Sequence, residues 1–310
     1  MPLILAAFAS LTFGVADFVG GMASRRTRAV TVVAGSHLIA LVMIFGLGPF
    51  FGEGMPPFAD LAWGFVAGLA GAVGLAVFYH ALATTRIGVA APVASVVSTL
   101  TPVLYGVVSG ERPEAVAWAG MVLAIPAMLL IPATRRGEID RVAPGSASVR
   151  RVGRKLMGPA IDRYPLPADP HGRTGHRAAM LGAIAGFGFG LFGIFISLTG
   201  AESGLWPLAG SRVGSLVLMG VLVPLMKARY LPEREAWPMV ATAGILDMTA
   251  NVLFLLAVRE ELLSLVAVIM SFYPASTIVL ARFVLGERTV RRQLAGLALA
   301  GVAVTLIAVA

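Results

Sequence analysis

The tripeptide Gly110-Glu111-Arg112 recurs as Gly286-Glu287-Arg288, at an offset of 176 residues. The same offset relates Ala119-Gly120 to Ala295-Gly296 and Phe13-Gly14 to Phe189-Gly190. A constant offset over separate segments, one of them carrying a Glu-Arg pair, indicates an internal repeat rather than chance similarity in an Ala- and Gly-rich chain. The tripeptide therefore marks equivalent positions in two halves of one fold.

Both halves have the composition of membrane-spanning segments. Of the 310 residues, 58% are hydrophobic and 13% are charged, whereas a soluble domain carries roughly 25% charged residues. The apolar stretches are continuous, which favours helices over strands, and each is about 20 residues long, enough to cross a bilayer. We predict an all-α integral membrane protein with ten transmembrane helices. The expected spans are 2–22, 29–51, 59–82, 88–109, 113–133, 178–199, 206–227, 236–258, 263–284 and 289–310.

The net charge of +8 does not indicate a nucleic-acid partner, because the Lys and Arg residues lie mainly between the apolar spans. Basic loops orient a membrane protein, with the positive side in the cytoplasm. The longest polar segment, residues 134–177, is basic and rich in proline, which predicts a solvated linker that can also touch anionic lipid headgroups. The linker joins repeat one, 1–133, to repeat two, 178–310. The charge rule places it inside and both termini outside.

An odd number of helices in each half determines how the halves insert. Five spans per repeat require opposite orientations, so we expect two inverted repeats around an approximate twofold axis in the membrane plane. A stripe of small residues, Gly182, Gly186 and Gly190, and the pair Gly64 and Gly68 predict close helix packing. Pro102 and Pro274 interrupt the fourth and ninth spans about one turn out of register. These prolines are candidates for gating kinks or for static bends.

Polar residues inside predicted spans mark the candidate site, because an ionisable group at mid-membrane costs several kcal/mol unless it faces a cavity or a partner. Asp247 lies near the middle of span eight, with Asn251 one turn later on the same face. A role in proton coupling or recognition and a structural hydrogen-bonding role are both open for Asp247. Asp17 in span one is a candidate to bind a proton or a cationic substrate, or an interfacial group solvated from the cytoplasm.

Spans two, three and seven add four further candidates. His37 titrates near neutrality. Arg212, in the equivalent region of span seven, could recognise a carboxylate or phosphate, pair with Asp247, or extend to the outer headgroups. Tyr79 and His80 lie near the inner end of span three, where a satisfied interfacial pair is the alternative to a site.

Several kinds of chemistry have no motif in this chain. The sequence lacks a Gly-x-x-x-x-Gly-Lys-Ser/Thr phosphate loop, a His-Glu-x-x-His metal motif and a Gly-x-Ser-x-Gly nucleophile elbow, and it has no cysteine. We therefore expect no enzymatic activity, no cofactor and no bound metal. Transport energy would come from an ion gradient, from exchange or from the gradient of the substrate.

Specific segments resemble a known family. The segments are Phe272-Tyr273-Pro274, Leu285-Gly286-Glu287-Arg288, Gln293-Leu294-Ala295-Gly296, Gly301-Val302 and, in repeat one, Gly110-Glu111-Arg112-Pro113. They are similar to the signature of the ten-helix EamA-type transporters of the drug/metabolite transporter superfamily. The resemblance implies that helices 1–4 and 6–9 surround a central cavity. The Gly-Glu-Arg motif is expected to be a structural corner, with Glu111 beside the positive end of the next helix.

The resemblance implies a secondary active transporter in the plasma membrane that moves a small metabolite or drug-like compound by alternating access. Many bacterial members are exporters, which favours export, and proton coupling is one option. The alternatives are a metabolite uptake or exchange carrier and a lipid-linked flippase or accessory membrane protein. The flippase would need a side opening to lipid and would tolerate the loss of Asp247. The expected partners are a small-molecule substrate, membrane lipids and, for the coupled mechanism, protons.

Overall fold

The computed structural model describes residues 2–47, 54–85, 87–130, 173–280 and 291–308. Within these ranges all regular secondary structure is helical, which confirms the all-α prediction. The α-helices are α1 Pro2–Ala23, α2 Ala29–Leu47, α3 Phe58–Thr84, α4 Ile87–Val108, α5 Ala115–Leu130, α6 Arg173–Ser197, α7 Trp206–Leu225, α8 Trp237–Glu260, α9 Leu263–Met270, α10 Tyr273–Leu280 and α11 Arg291–Ala308, with a short 3₁₀ turn at Ala201–Ser203. Helix α6 begins at Arg173, within the segment assigned to the linker.

Six of the described helices are long and apolar enough to cross a membrane: α1, α2, α3, α6 from His176 onward, α7 and α8. Shorter apolar stretches run over Val93–Val108 and Ala115–Ala127. Large hydrophobic side chains such as Phe8, Val42 and Val221 are exposed on the outside of the bundle. Lipid can cover such residues, whereas a soluble monomer rarely leaves so large an apolar surface open to water.

The predicted ninth span is two helices. Helix α9 ends at Met270, a turn follows at Ser271 and Phe272, and α10 begins at Tyr273. Pro274 is the second residue of α10, where the missing proline N–H needs no partner within the helix. Pro102, by contrast, lies inside α4, which runs unbroken from Ile87 to Val108. The structure therefore places a helix break beside one predicted kink and a continuous helix at the other.

The two halves interdigitate rather than packing as separate bundles. The most extensive helix contacts cross between the halves: α4 with α6, α1 with α8, and α3 with both α6 and α7. Helices α5 and α11 pack mainly on each other. The halves thus share one core, and any cavity at its centre is lined by both.

Glycines allow these backbones to approach closely. A Cβ atom on Gly186 would collide with the Ala94 carbonyl oxygen of α4, and one on Gly68 would collide with the Ser211 carbonyl oxygen of α7. In lipid, such small-residue contacts let van der Waals packing hold helices together. The predicted close-packing role of the two glycine stripes is confirmed at these positions.

Hydrogen bonds between loops and helix ends hold the two ends of the bundle. At the first, here called the Asp60 end, the Asp60 carboxylate accepts a hydrogen bond from the Gly200 amide at 3.0 Å and one from the Ser203 hydroxyl. Arg259 Nη2 donates to the Gly200 carbonyl oxygen at 3.1 Å. The α3 start, the α6–α7 loop and the α8 end are therefore joined at this end.

Arginines organise the opposite end, here called the Arg25 end. Arg25 donates to the Leu82 carbonyl oxygen at 3.4 Å, and Arg26 donates to the Glu235 carbonyl oxygen at 2.9 Å. The α1–α2 loop thereby contacts the end of α3 and the residues before α8.

The structure corrects the expected position of Glu111. Its carboxylate accepts hydrogen bonds from the backbone amides of Leu263 at 3.0 Å and Ser264 at 3.2 Å. These amides open α9, in the other half of the chain, and not the next helix α5. The physical rule that a carboxylate stabilises a helix N-terminus holds. The partner helix could not be read from chain order, because it is brought in by tertiary packing.

Candidate substrate cavity

A cavity of about 130 Å³ lies between the halves. Among the described residues, its lining comes from every helix from α1 to α10 except α5, and α11 contributes none. The lining comprises Phe13, Asp17, His37, Gly68, Gly71, Ala72, Leu75, Ser98, Pro102, Phe189, Phe192, Gly193, Arg212, Asp247, Asn251, Phe254, Leu263, Ala267, Met270, Ser271 and Tyr273. The arrangement of helices around a central cavity matches what the resemblance implied.

An ion pair is the central polar feature of the cavity wall. Arg212 Nη2 of α7 lies 3.1 Å from Asp247 Oδ2 of α8. Both residues are buried, with 3% and 6% of their surface exposed. Asn251, one turn after Asp247, donates from Nδ2 to the Asp247 carbonyl oxygen at 2.7 Å. Of the three positions open for Arg212, the structure therefore shows the pairing with Asp247.

His37 of α2 extends this pair into a cluster. Arg212 Nη1 lies 3.0 Å from His37 Nε2. Because a guanidinium can only donate, Nε2 must be the unprotonated, accepting nitrogen of a neutral ring. The proton then lies on Nδ1, which donates to the Ser215 hydroxyl of α7. Ser215 lies three residues after Arg212, a spacing that puts both on one helix face.

Ser215 is not among the residues predicted from the sequence, although its helical spacing from Arg212 was a signal that could have identified it. We call His37, Arg212, Ser215 and Asp247 the arginine cluster. In it, one guanidinium charge compensates one carboxylate charge, and a neutral imidazole accepts a hydrogen bond from the guanidinium.

Asp17 lies in the same cavity but outside the arginine cluster. It is 7% exposed, and among the described residues its carboxylate has no hydrogen bond or ion pair. Asp247 lines the same cavity from α8. Asp17 is thus a buried acid that faces the cavity.

Aromatic rings form much of the remaining wall. Phe13, Phe189, Phe192, Phe254 and Tyr273 all line the cavity. The Phe192 and Phe254 ring centroids are 6.3 Å apart. Tyr273 packs edge-on against Phe78 with centroids 6.0 Å apart. Outside Asp17 and the arginine cluster, the wall is therefore mainly aromatic and apolar, with further polar groups at Ser98, Asn251 and Ser271.

The other predicted residues occupy different places. Tyr79 is buried, and its ring packs against Gly20 of α1 without being part of the lining. His80 is half-buried and lies with Nε2 3.4 Å from Arg177 Nη2, away from the cavity. Pro102 lines the cavity from within α4. The Pro274 side chain lies outside the described residues. The structure thus brings together Asp17, His37, Arg212, Asp247 and Asn251, with Pro102.

Comparison with known proteins extends this picture. The family profile of EamA-like transporters matches residues 1–132 and 176–309. No curated protein matches the chain. A solved structure, described only as the crystal structure of a protein, is similar to the chain with a TM-score of 0.69. The similarity covers 99% of this chain and 96% of that one, at 15% sequence identity. At that identity the likeness concerns the fold alone.

Proposed function

The chain belongs to the EamA-like transporter family, within the drug/metabolite transporter superfamily, and we propose that it is a secondary active exporter of a small metabolite or drug-like compound. Membership makes it a multi-pass membrane transporter, and members are generally not enzymes. The proposal adds alternating access, export, the proton gradient as one option for the energy source, and a location in the plasma membrane. The single observation that carries it is the central cavity with charged side chains from both halves.

We further propose that the two halves are inverted five-helix repeats. Ser95 donates to the carbonyl oxygen of Ser271, and these residues are 176 positions apart, the offset of the sequence repeat. Residues that contact their own repeat equivalents lie near a twofold axis. Ser10 donates to the Met270 carbonyl oxygen, and the equivalent Gly186 approaches the Ala94 carbonyl oxygen. Exchange of the halves thus relates α1–α9 packing to α4–α6 packing.

Alternating access needs two ends that open in turn around a fixed site. The Asp60 end and the Arg25 end are each joined by the hydrogen bonds described above. The break between α9 and α10 at Ser271 and Phe272 lies beside the cavity and offers a hinge. The proposed cycle breaks the contacts of one end at a time, while the arginine cluster stays near the middle.

The Arg25 end is proposed to face the cytoplasm, because its loops carry Arg25, Arg26 and Arg28. The chain has no cysteine, so single cysteines can report the orientation. Glu202 at the Asp60 end and Lys227 near the Arg25 end are both exposed. An impermeant maleimide added to intact cells should label Glu202→Cys and not Lys227→Cys. The reverse pattern would invert the assignment.

Flux into liposomes tests the function. Purified protein should move a compound from a broad metabolite panel faster when a pH gradient is imposed, and an uncoupler should remove the acceleration. Equal rates with and without the gradient would leave a facilitator or an exchanger. No flux of any compound, in folded protein, would shift the assignment to a lipid flippase or an accessory protein.

A further inference from the structure

We propose that the substrate is an organic cation with an aromatic or apolar body, and that Asp17 is the group that holds its positive charge. The proposal rests on the transport function proposed above and names the substrate class of the same cavity. Three observations carry it: the charge balance of the cavity wall, the position of Asp17 and the aromatic lining.

Among the described lining residues, one carboxyl group has no counter-charge beside it. Arg212 lies 3.1 Å from Asp247, so these two charges compensate each other. His37 accepts a hydrogen bond from Arg212 and is therefore neutral in this arrangement. In the described part of the chain, Asp17 is therefore the lining carboxyl group that has no cation beside it.

The position of Asp17 makes this imbalance a property of the cavity. An ionised carboxylate removed from water is costly unless a partner compensates it. Asp17 is 93% buried, since 7% of its surface remains exposed, and it faces the open volume of the cavity. A cationic ligand in that volume would be its counter-charge. A substrate carboxylate, by contrast, would meet Asp17 as a like charge, while the charge of Arg212 is already compensated by Asp247.

The aromatic lining suits the same ligand. Phe13 lies one turn before Asp17 on α1, and Phe189 and Tyr273 also line the cavity. Aromatic faces attract an ammonium group and pack against apolar surface. The ammonium group of a ligand beside Asp17 can therefore be surrounded by rings, while the apolar body of the ligand packs against Phe192 and Phe254.

Three probes with one body separate charge from shape: 3-phenylpropylammonium, 3-phenylpropanol and 3-phenylpropionate. Calorimetry on purified full-length protein measures their binding. Wild-type protein should bind the ammonium compound about tenfold or more tightly than the alcohol, and the carboxylate most weakly. In Asp17→Asn the affinity for the ammonium compound should fall roughly 30-fold, and that for the alcohol by less than about threefold.

Two further variants keep this test interpretable. Asp17→Glu retains the charge and should preserve the preference for the ammonium compound. Glu202→Gln removes an exposed carboxylate away from the cavity and should bind like wild type. Equal wild-type affinities for the ammonium compound and the alcohol would overturn the proposal, as would an Asp17→Asn variant that weakens both probes equally.

Liposome flux separates this proposal from the proposed function. Phenyltrimethylammonium carries a fixed positive charge. If wild-type protein transports it and Asp17→Asn does not, both the transport function and the cation class are supported. Transport only of anions or neutral compounds from the panel overturns the cation class and leaves the transporter standing. No flux of any compound in folded protein overturns both.

Discussion

Two carboxylates line one cavity in different surroundings. On α8, Asp247 lies 3.1 Å from the Arg212 guanidinium, and its helix carries Asn251 on the same face. On α1, Asp17 is equally buried and has no hydrogen bond or ion pair among the described residues. The α8 wall thus contains a compensated charge, whereas the α1 wall presents an uncompensated one to the cavity.

Burial alone therefore does not identify a ligand-binding charge. A compensated pair contributes no net charge to the cavity, so loss of its buried cation, which leaves a carboxylate beside a second buried acid, first disturbs the fold. An uncompensated carboxylate disturbs ligand binding first. With Asp17 and Asp247 ionised, His37 neutral and Arg212 protonated, the wall carries one net negative charge. Each substitution below changes either this net charge or a hydrogen bond of a residue in or near the cavity wall.

Removal of the guanidinium should have the largest effect. Arg212→Gln leaves Asp247 without its cation and raises the net negative charge of the wall to two. Breaking one partner of a buried pair costs about 3–5 kcal/mol. We expect low membrane abundance and a clearly lower melting temperature in detergent, measured by thermal unfolding of purified protein.

Two variants control that measurement. Arg212→Gln combined with Asp247→Asn should recover much of the lost stability, because no isolated charge of the pair remains. Arg234→Gln removes an exposed arginine and should leave the melting temperature unchanged. A melting temperature for Arg212→Gln equal to that of wild type would show that the ion pair does not stabilise the fold.

Removal of the paired carboxylate should mainly affect transport. Asp247→Asn changes size little and brings the net charge of the wall to zero, because the Asp17 charge then offsets that of Arg212. Arg212 also keeps its hydrogen bond to His37, 3.0 Å away. We expect normal membrane abundance with strongly reduced flux and an altered dependence of flux on pH. Wild-type flux across the pH range would leave Asp247 a structural role only.

These residues also show how far the sequence reaches. The apolar spans and the 176-residue repeat predict the helices, because burial of backbone polar groups in lipid allows few structures besides helices. The cost of an intramembrane charge selects Asp17, Arg212 and Asp247. The sequence does not show which of the two acids pairs with Arg212. The pairing depends on tertiary packing, because α2 contacts both α7 and α8.

Ser215 and the Glu111 partner show the same limit. Serine is common in membrane helices, and only its contact with His37 marks Ser215. The sequence indicates a helix N-terminus for Glu111, but the packing of α4 beside α9 decides which one. Local physics therefore predicts the kind of interaction, and the tertiary fold selects the partner.

Glu111 is a third carboxylate to compare with Asp17 and Asp247, and it lies outside the cavity. Glu111 accepts hydrogen bonds from the Leu263 and Ser264 amides, so it has partners but lines no part of the cavity. Glu111→Gln weakens the cap of α9 and should lower the free energy of unfolding by about 1 kcal/mol. Binding of 3-phenylpropylammonium should stay within about twofold of wild type, since α9 keeps its place in the fold. A loss of binding as large as that of Asp17→Asn would remove the distinction between Asp17, which lines the cavity, and Glu111, which does not.

The smallest effect is expected for substitution of Ser215, the member of the arginine cluster that accepts a hydrogen bond from His37. Ser215→Ala removes the acceptor for His37 Nδ1–H and should lower the free energy of unfolding by about 1 kcal/mol. The ring then loses the contact that fixes its tautomer, so His37 Nε2 becomes a less constant acceptor for Arg212. NMR of ¹⁵N-labelled histidine in purified protein reads the tautomer directly. We expect wild-type His37 to carry its proton on Nδ1 and Ser215→Ala to show a mixture of both forms, while Asp17→Asn leaves the wild-type form unchanged. A wild-type ring protonated on Nε2 would contradict the proposed hydrogen-bond direction and would separate His37 from the ion pair.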